Sequence, residues 1–352
     1  MGMPVLNIEF KEKASSVLAR GERGIMLLIL RDTAPNGNPV TVFSENDIPA
    51  SLSAANKNYI KMALIGNDFK PKKVIVYVIG ADDEMTTVLG WAATQKIDWL
   101  AMPTAETDSV NATIKQWVIA QKDYGNEIKA VLANTAADSP YIVNFTTESV
   151  SVGNSTYTAE QFCPRIAGLI CGTALSHSVT SAVIPEATDC TRLTKTEMDA
   201  ATDAGKLYVF FDGEKVKVSR GVNSLTTTSD KNRRQSKKIK IGEAKTLITN
   251  DLKLLAQDNY IGKYVNNYSN RCLLLAAVQD YFDELAMQGV ASDYSVEFDI
   301  EAIKIAMKTA GIDYDEMTDD EIKEYDLGSS VYLKISTTLL DAIEDIYISI
   351  EF

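Results

Sequence analysis

Near the start of the chain, Leu6, Ile8 and Phe10 fall on one side of an extended segment, with Asn7 and Glu9 on the other. A period of two predicts a half-buried strand. Residues 11–24 are polar and have no apolar face. The pattern then changes to solid apolar runs at 25–30 (IMLLIL), 74–79 (VIVYVI), 97–102 (IDWLAM), 128–133 (IKAVLA) and 207–211 (LYVFF). Helical periodicity separates most of them. Val110, Ile114, Trp117 and Val118 share a face of a helix predicted over 108–124. A second helix, predicted over 158–175, opens with a capping box from Thr158 to Gln161 and carries Phe162, Ile166 and Leu169 on its face. Continuous apolar strands alternating with helices imply a mainly parallel sheet covered on both faces. Further strands are expected at 141–145 and 215–218.

At 225–240 the wording turns polar and then basic, TTTSDKNRRQSKKIK, which reads as a domain boundary. Helices are expected at 243–258 and 266–288, the latter with Leu274, Val278, Tyr281, Phe282 and Leu285 inward and Gly289 as its stop. A strand at 294–298, a helix at 299–310 ended by Gly311, and a short acidic helix opened by a Thr318–Glu321 capping box follow. Val331, Leu333 and Ile335 alternate as a strand. The last segment alternates as well: Ile346, Ile348, Ile350 and Phe352 face one way, Tyr347, Ser349 and Glu351 the other. Both ends therefore read as half-buried strands that need a sheet, with the polar stretch 11–24 and the segment 336–345 as candidate connectors.

The chemistry available to such a chain is limited. There is one histidine, His177, and no G-x-S-x-G elbow to accompany a Ser-His-Asp arrangement, so it reads as structural or solvated. Neither G-x-x-x-x-G-K-[ST] nor G-x-G-x-x-G occurs, and a parallel sheet by itself does not license a nucleotide. The acidic stretch 313–326 lacks calcium-loop spacing, with Met317 and Thr318 at the critical positions. Cys163, Cys171, Cys190 and Cys272 form no C-x-x-C pair and read as reduced, mostly buried thiols of a protein made in a cytosol. No cofactor is expected.

A net charge of −13, from 35 basic and 48 acidic residues, argues against nucleic acid as a partner. No apolar run approaches a membrane span, and the N-terminus has no secretory pattern. Against this acidic background Lys231, Arg233, Arg234, Lys237, Lys238 and Lys240 form a basic run, either a solvated linker or a contact with an acidic partner.

From about residue 155 onward the wording resembles contractile tail sheath proteins, those of Gram-positive myophages, defective prophages and R-type bacteriocins. The resemblance rests on KVSRGVNSLTT at 217–227, the AGLICGT end of the 158–175 helix, G-I-D…M-T-D-D-E-I-K-E, G-S-S-V-Y-L-K, and L-L-D-A-I-E-D-I before the final alternating strand. It implies an α/β domain of subtilisin-like topology without catalysis, an α+β domain facing an inner tube, and terminal arms that add strands to neighbouring copies. The expected division is an N-terminal arm (1–22), the α/β domain (23–230), the C-terminal α+β domain (231–340) and a C-terminal arm (341–352). The partners so implied are further copies of the chain, an inner tail tube protein, and baseplate and tail terminator proteins. Assembly in the bacterial host cytoplasm into a virion or bacteriocin tail goes with them. Lys237 with Lys238, and Lys304 with Lys308 one helical turn apart, are the candidate tube-facing groups. The rival reading, a soluble flavodoxin-like enzyme or small-molecule binder, accounts for residues 25–211 but not for the strand-forming ends.

Overall fold

The computed structural model describes residues 23–81, 83–229 and 234–351. Leu6, Ile8, Phe10 and Phe352 lie outside the described residues, as do positions 11–22 of the first connector and 231–233 of the basic run. The chain divides into two compact units: a larger one within 23–250, 286–292 and 338–351, and a smaller one within 251–285 and 293–337.

The strands of the larger unit are β1 (Ile25–Arg31), β2 (Val40–Val42), β3 (Lys73–Ile79), β4 (Trp99–Ala101), β5 (Lys129–Ala133), β6 (Ile142–Phe145), β7 (Ser149–Val152), β8 (Ser155–Thr158), β9 (Ala187–Cys190), β10 (Lys206–Leu207), β11 (Val209–Phe211) and β12 (Val216–Val218). Its helices are α1 (Ala54–Ile65), α2 (Met85–Ala92), α3 (Asn111–Gln121), α4 (Ala159–Cys171), α5 (Lys195–Asp203) and the part of α6 (Ile239–Leu255) up to Asn250.

One seven-stranded sheet, in the order β10-β6-β5-β4-β1-β3-β2, is parallel except for β2. Its two covered faces explain why the runs show no polar alternation: side chains sort by parity into two cores. Met26, Leu28 and Leu30 join Val74, Val76 and Val78 with Phe162, Ile166 and Leu169 of α4. Ile25, Leu27 and Ile29 join Leu100, Ala130 and Leu132 with Val88 of α2 and Ile114 and Val118 of α3. The mainly parallel α/β architecture expected from the runs is the one observed. The Thr158–Gln161 capping box opens α4 as read.

Three features depart from the reading. The run at 207–211 splits between two sheets: β10 pairs with β6, while β11 pairs antiparallel with β12. Tyr208 is the pivot; its N–H donates to Ser219 Oγ (3.2 Å) and its carbonyl accepts from the Ser219 N–H (2.8 Å). The three-stranded sheet β8-β7-β9 was not anticipated, because SVSV, STYT and ATDC carry too little apolar content. The basic run does not behave as a solvated linker from Ser236 onward. Ser236 is buried, and α6 begins at Ile239, ahead of the expected 243, with Ile239 and Ile241 in the core. Alternating lysines masked this apolar pair.

The smaller unit carries most of α7 (Tyr268–Met287), β13 (Ala291–Phe298), α8 (Ile300–Thr309), α9 (Asp319–Glu324) and most of β14 (Leu333–Leu339). Phe298, Ile303, Met307 and Ile322 form its core, packed by Leu275, Ile312, Tyr314 and Leu333. Asp299 caps α8 by accepting from the Ala302 N–H (3.0 Å), and Thr318 with Glu321 boxes the start of α9. Arg271 of α7 donates to the carbonyls of Glu324 (3.0 Å) and Tyr325 (3.1 Å), closing the end of α9. β13 and β14 form a two-stranded sheet. β14 runs on through Leu339, so the second connector cannot begin at 336. Half-buried Leu333, Ile335, Thr337 and Leu339 continue the alternation, and a threonine on the covered side hid it.

Candidate assembly interface

The C-terminal segment leaves β14 along the larger unit. The Leu340 N–H donates to the Val290 carbonyl (3.0 Å). The next residues, Asp-Ala-Ile-Glu-Asp, bring three carboxylates against two cations of the same unit. Glu344 is the centre, its side chain 3% exposed. It accepts from Thr180 Oγ1 (2.6 Å), Ser178 Oγ (3.3 Å) and Lys238 Nζ (2.8 Å), and Arg220 Nε lies 3.7 Å away. Asp341 pairs with Lys238 and Asp345 with Arg220 on its more exposed rim. Thr180 is itself fixed, accepting from the Gly221 N–H (2.9 Å).

The electrostatics follow from this packing. Burial draws the Lys238 ammonium down, but Asp341 and Glu344 outweigh it and its pKa ends above the ordinary lysine value. The hydrogen bond to Asp345 chiefly raises Arg220. Lys240 shows the opposite balance. Its ammonium donates to the Ser176 carbonyl (2.9 Å), and burial lowers its pKa.

Beyond Asp345 the chain is uncovered. Ile346, Tyr347, Ile348 and Ile350 are 73–94% exposed and pair with no strand among the described residues. Such a concentration of exposed isoleucine marks a contact surface. The anchor and the projecting apolar residues together are the candidate interface.

The four basic candidates are placed differently. Lys237 is half-buried on a 3-10 turn, and its carbonyl accepts from the Asn223 N–H (2.8 Å). Lys238 is engaged by the chain's own carboxylates. On α8, Lys304 lies 3.6 Å from Asp319, and Lys308 is exposed. Sequence reasoning missed Ser178, Thr180, Arg220 and Glu344. An available signal was the acidic spacing Asp341, Glu344, Asp345 in a chain that also holds a basic run.

The site expected by the rival reading is built otherwise. The strand order reverses between β1 and β4, where an open α/β sheet holds a ligand at the strand carboxyl ends. There Arg31 Nε pairs with Asp108 (2.9 Å), and Arg31 Nη1 donates to the carbonyls of Gly80 and Asp83. An ion pair thus crosses the crevice. A cleft of about 470 Å³, lined in part by Arg23, Lys70, Lys72 and residues 172–176, opens instead beside the amino ends of β1 and β3. Next to it Glu243 is buried among Arg23 Nη2 (2.9 Å), Lys129 Nζ (3.0 Å) and Trp99 Nε1 (3.2 Å). Burial pushes its carboxyl up, but Lys129 and Arg23 outweigh this and hold it below the ordinary range. This charge cluster ties α6 to the strand starts. His177 Nδ1 lies 3.0 Å from Asp68 Oδ2 on an exposed loop. Among the described residues no group of three His, Cys, Asp or Glu side chains converges as a metal site.

Residues 81–224 match the phage tail sheath protein central domain and residues 232–352 the phage tail sheath C-terminal domain. The tail sheath protein of Clostridium phage phiCD119 is 37% identical over 357 residues, 99% of each chain. The solved sheath tail protein of Desulfitobacterium hafniense has the same fold, with a TM-score of 0.70 at 19% identity over 84% of this chain and 94% of that one. The helical sheath of the anti-feeding prophage in its contracted state gives 0.68 at 14% identity, over 100% and 99%. With both domains matched and a relative this similar along its whole length, the chain belongs to the phage tail sheath protein family.

Proposed function

We propose that this sheath protein polymerises helically around an inner tube and contracts to drive that tube through a cell envelope, its copies linked by exchanged strands. The observation that carries this reading is the C-terminal segment: anchored at Glu344, then exposed in an alternating apolar pattern with no partner strand among the described residues. Strand addition satisfies its backbone and covers one side chain in two. The two-stranded β13–β14 sheet is the acceptor we assign in a neighbouring copy, since no further strand among the described residues pairs with it and it is a small sheet to stand alone. Residues 6–10 act as the matching N-terminal arm. Burying Ile346, Ile348, Ile350 and Phe352 contributes about 1.5–3 kcal/mol each as an upper bound.

Head-to-tail stacking needs heterologous interfaces that do not close. Contraction needs two packings of rigid subunits, with the arms held through both. The stored energy is the difference between two assembled states, so this reading needs neither catalysis nor a cofactor. The inner tube is met through the α8 pair Lys304 and Lys308. Lys237 and Lys238 are the second patch, and Lys238 is already paired within the subunit. Baseplate and terminator proteins cap the polymer, which forms in the host cytoplasm.

Electron microscopy of the purified full chain tests this reading. The expected result is hollow tubes or helical fragments. A monodisperse monomer at every concentration and salt condition contradicts it.

A further inference from the structure

The arm-exchange reading leaves open what fixes the direction in which the arm leaves the subunit. We propose that Glu344 is the positioning residue of the C-terminal arm: its carboxylate locks residues 341–345 onto the larger unit, so that the chain becomes free to bend only after Asp345. This inference rests on the polymer reading for its consequence, but not for its geometry.

The geometry has three parts. The carboxylate is nearly inaccessible and is met from three separate chain segments: it accepts from Ser178, Thr180 and Lys238, and the Arg220 guanidinium lies 3.7 Å away. Thr180 and Lys238 are held independently of the arm, through the Gly221 N–H on Thr180 and the Gly242 N–H on the Lys238 carbonyl at the start of α6. The flanking carboxylates divide the cations between them, Asp341 on Lys238 and Asp345 on Arg220. Cations and carboxylates therefore match in place, and a shift of the segment by one residue would take Glu344 out of its notch. A one-residue slip also turns an alternating strand over, putting Tyr347, Ser349 and Glu351 where the isoleucines should be. The notch thus sets the register in which the arm reaches a neighbour. Buried charge pairs are better suited to fixing register than to adding stability.

The test uses the full chain with Glu344→Ala and the near-isosteric Glu344→Gln. Hydrogen–deuterium exchange on the unassembled subunit is read at residues 338–345, and assembly is read by electron microscopy. Losing a charged hydrogen-bonded group should speed exchange in that segment roughly a hundredfold for the alanine variant and roughly tenfold for glutamine, with β1 and β3 unchanged. Tube yield should fall at least about tenfold in the alanine variant. If alanine also speeds exchange in the core, the glutamine variant decides. Unchanged exchange at 338–345 overturns the lock. Faster exchange with normal tubes overturns its role in positioning. Normal tubes from a chain lacking 346–352 would instead defeat the arm reading and leave the exchange result standing.

Discussion

At Gly168 the backbone of α4 lies against α1 so closely that a methyl group there would stand 2.1 Å from the Ala63 carbonyl oxygen. That contact is backbone, which cannot swing aside, so the position needs glycine for approach and not for its own φ. Gly168→Ala should destabilise the subunit by about 1–3 kcal/mol through overpacking. Urea denaturation checks this, and an unchanged midpoint would mean that the helices do not meet there. The segment AGLICGT was singled out in the sequence for its resemblance, but its physical reason needed α1 in place. The same holds for Glu243 and Glu344. Each is an acidic residue in an acidic chain, and only partners more than a hundred positions away distinguish them: Trp99, Lys129 and Arg23 for one, Ser178, Thr180, Arg220 and Lys238 for the other. Residue roles set by long-range pairing leave no local pattern.

Elements were more legible, because their signals are local. The apolar runs became β1, β3, β4 and β5, and the Thr158 and Thr318 capping boxes mark true helix starts. Gly289 and Gly311, both at positive φ, follow the ends of α7 and α8. Where the reading failed, the covered face carried polar or charged neighbours: Thr337 within β14, the lysines around Ile239, and the short strands β7 to β9. α8 supplies a prediction at this scale. Its Lys304 and Lys308 lie one turn apart, and a grip that must later release is better built from screened charge than from apolar burial. Reversing both to Glu should weaken co-assembly with the tube protein at moderate salt, by roughly tenfold for two lost rim contacts of up to about 1 kcal/mol each. Co-sedimentation of sheath with preformed tube reads this. Unchanged binding moves the tube contact off α8.

At the scale of the whole molecule, the fold class was readable from periodicity, whereas the partnership was readable from the family resemblance and from strand patterns that the chain leaves unfinished. A single copy keeps its larger unit intact, with two full cores and an ion pair across its strand-end crevice, and yet projects a row of isoleucines beyond Asp345. A net charge of −13 opposes close approach of such subunits through self-repulsion. The central claim is that residues 346–352 complete a neighbour and not their own chain. It is tested most directly by comparing the full chain with one ending at Asp345, each examined by thermal unfolding as a subunit and by electron microscopy after concentration. The account predicts the same subunit melting temperature for both and tubes from the full chain alone. Long sheaths from the shortened chain, or a large fall in its subunit melting temperature, would contradict it.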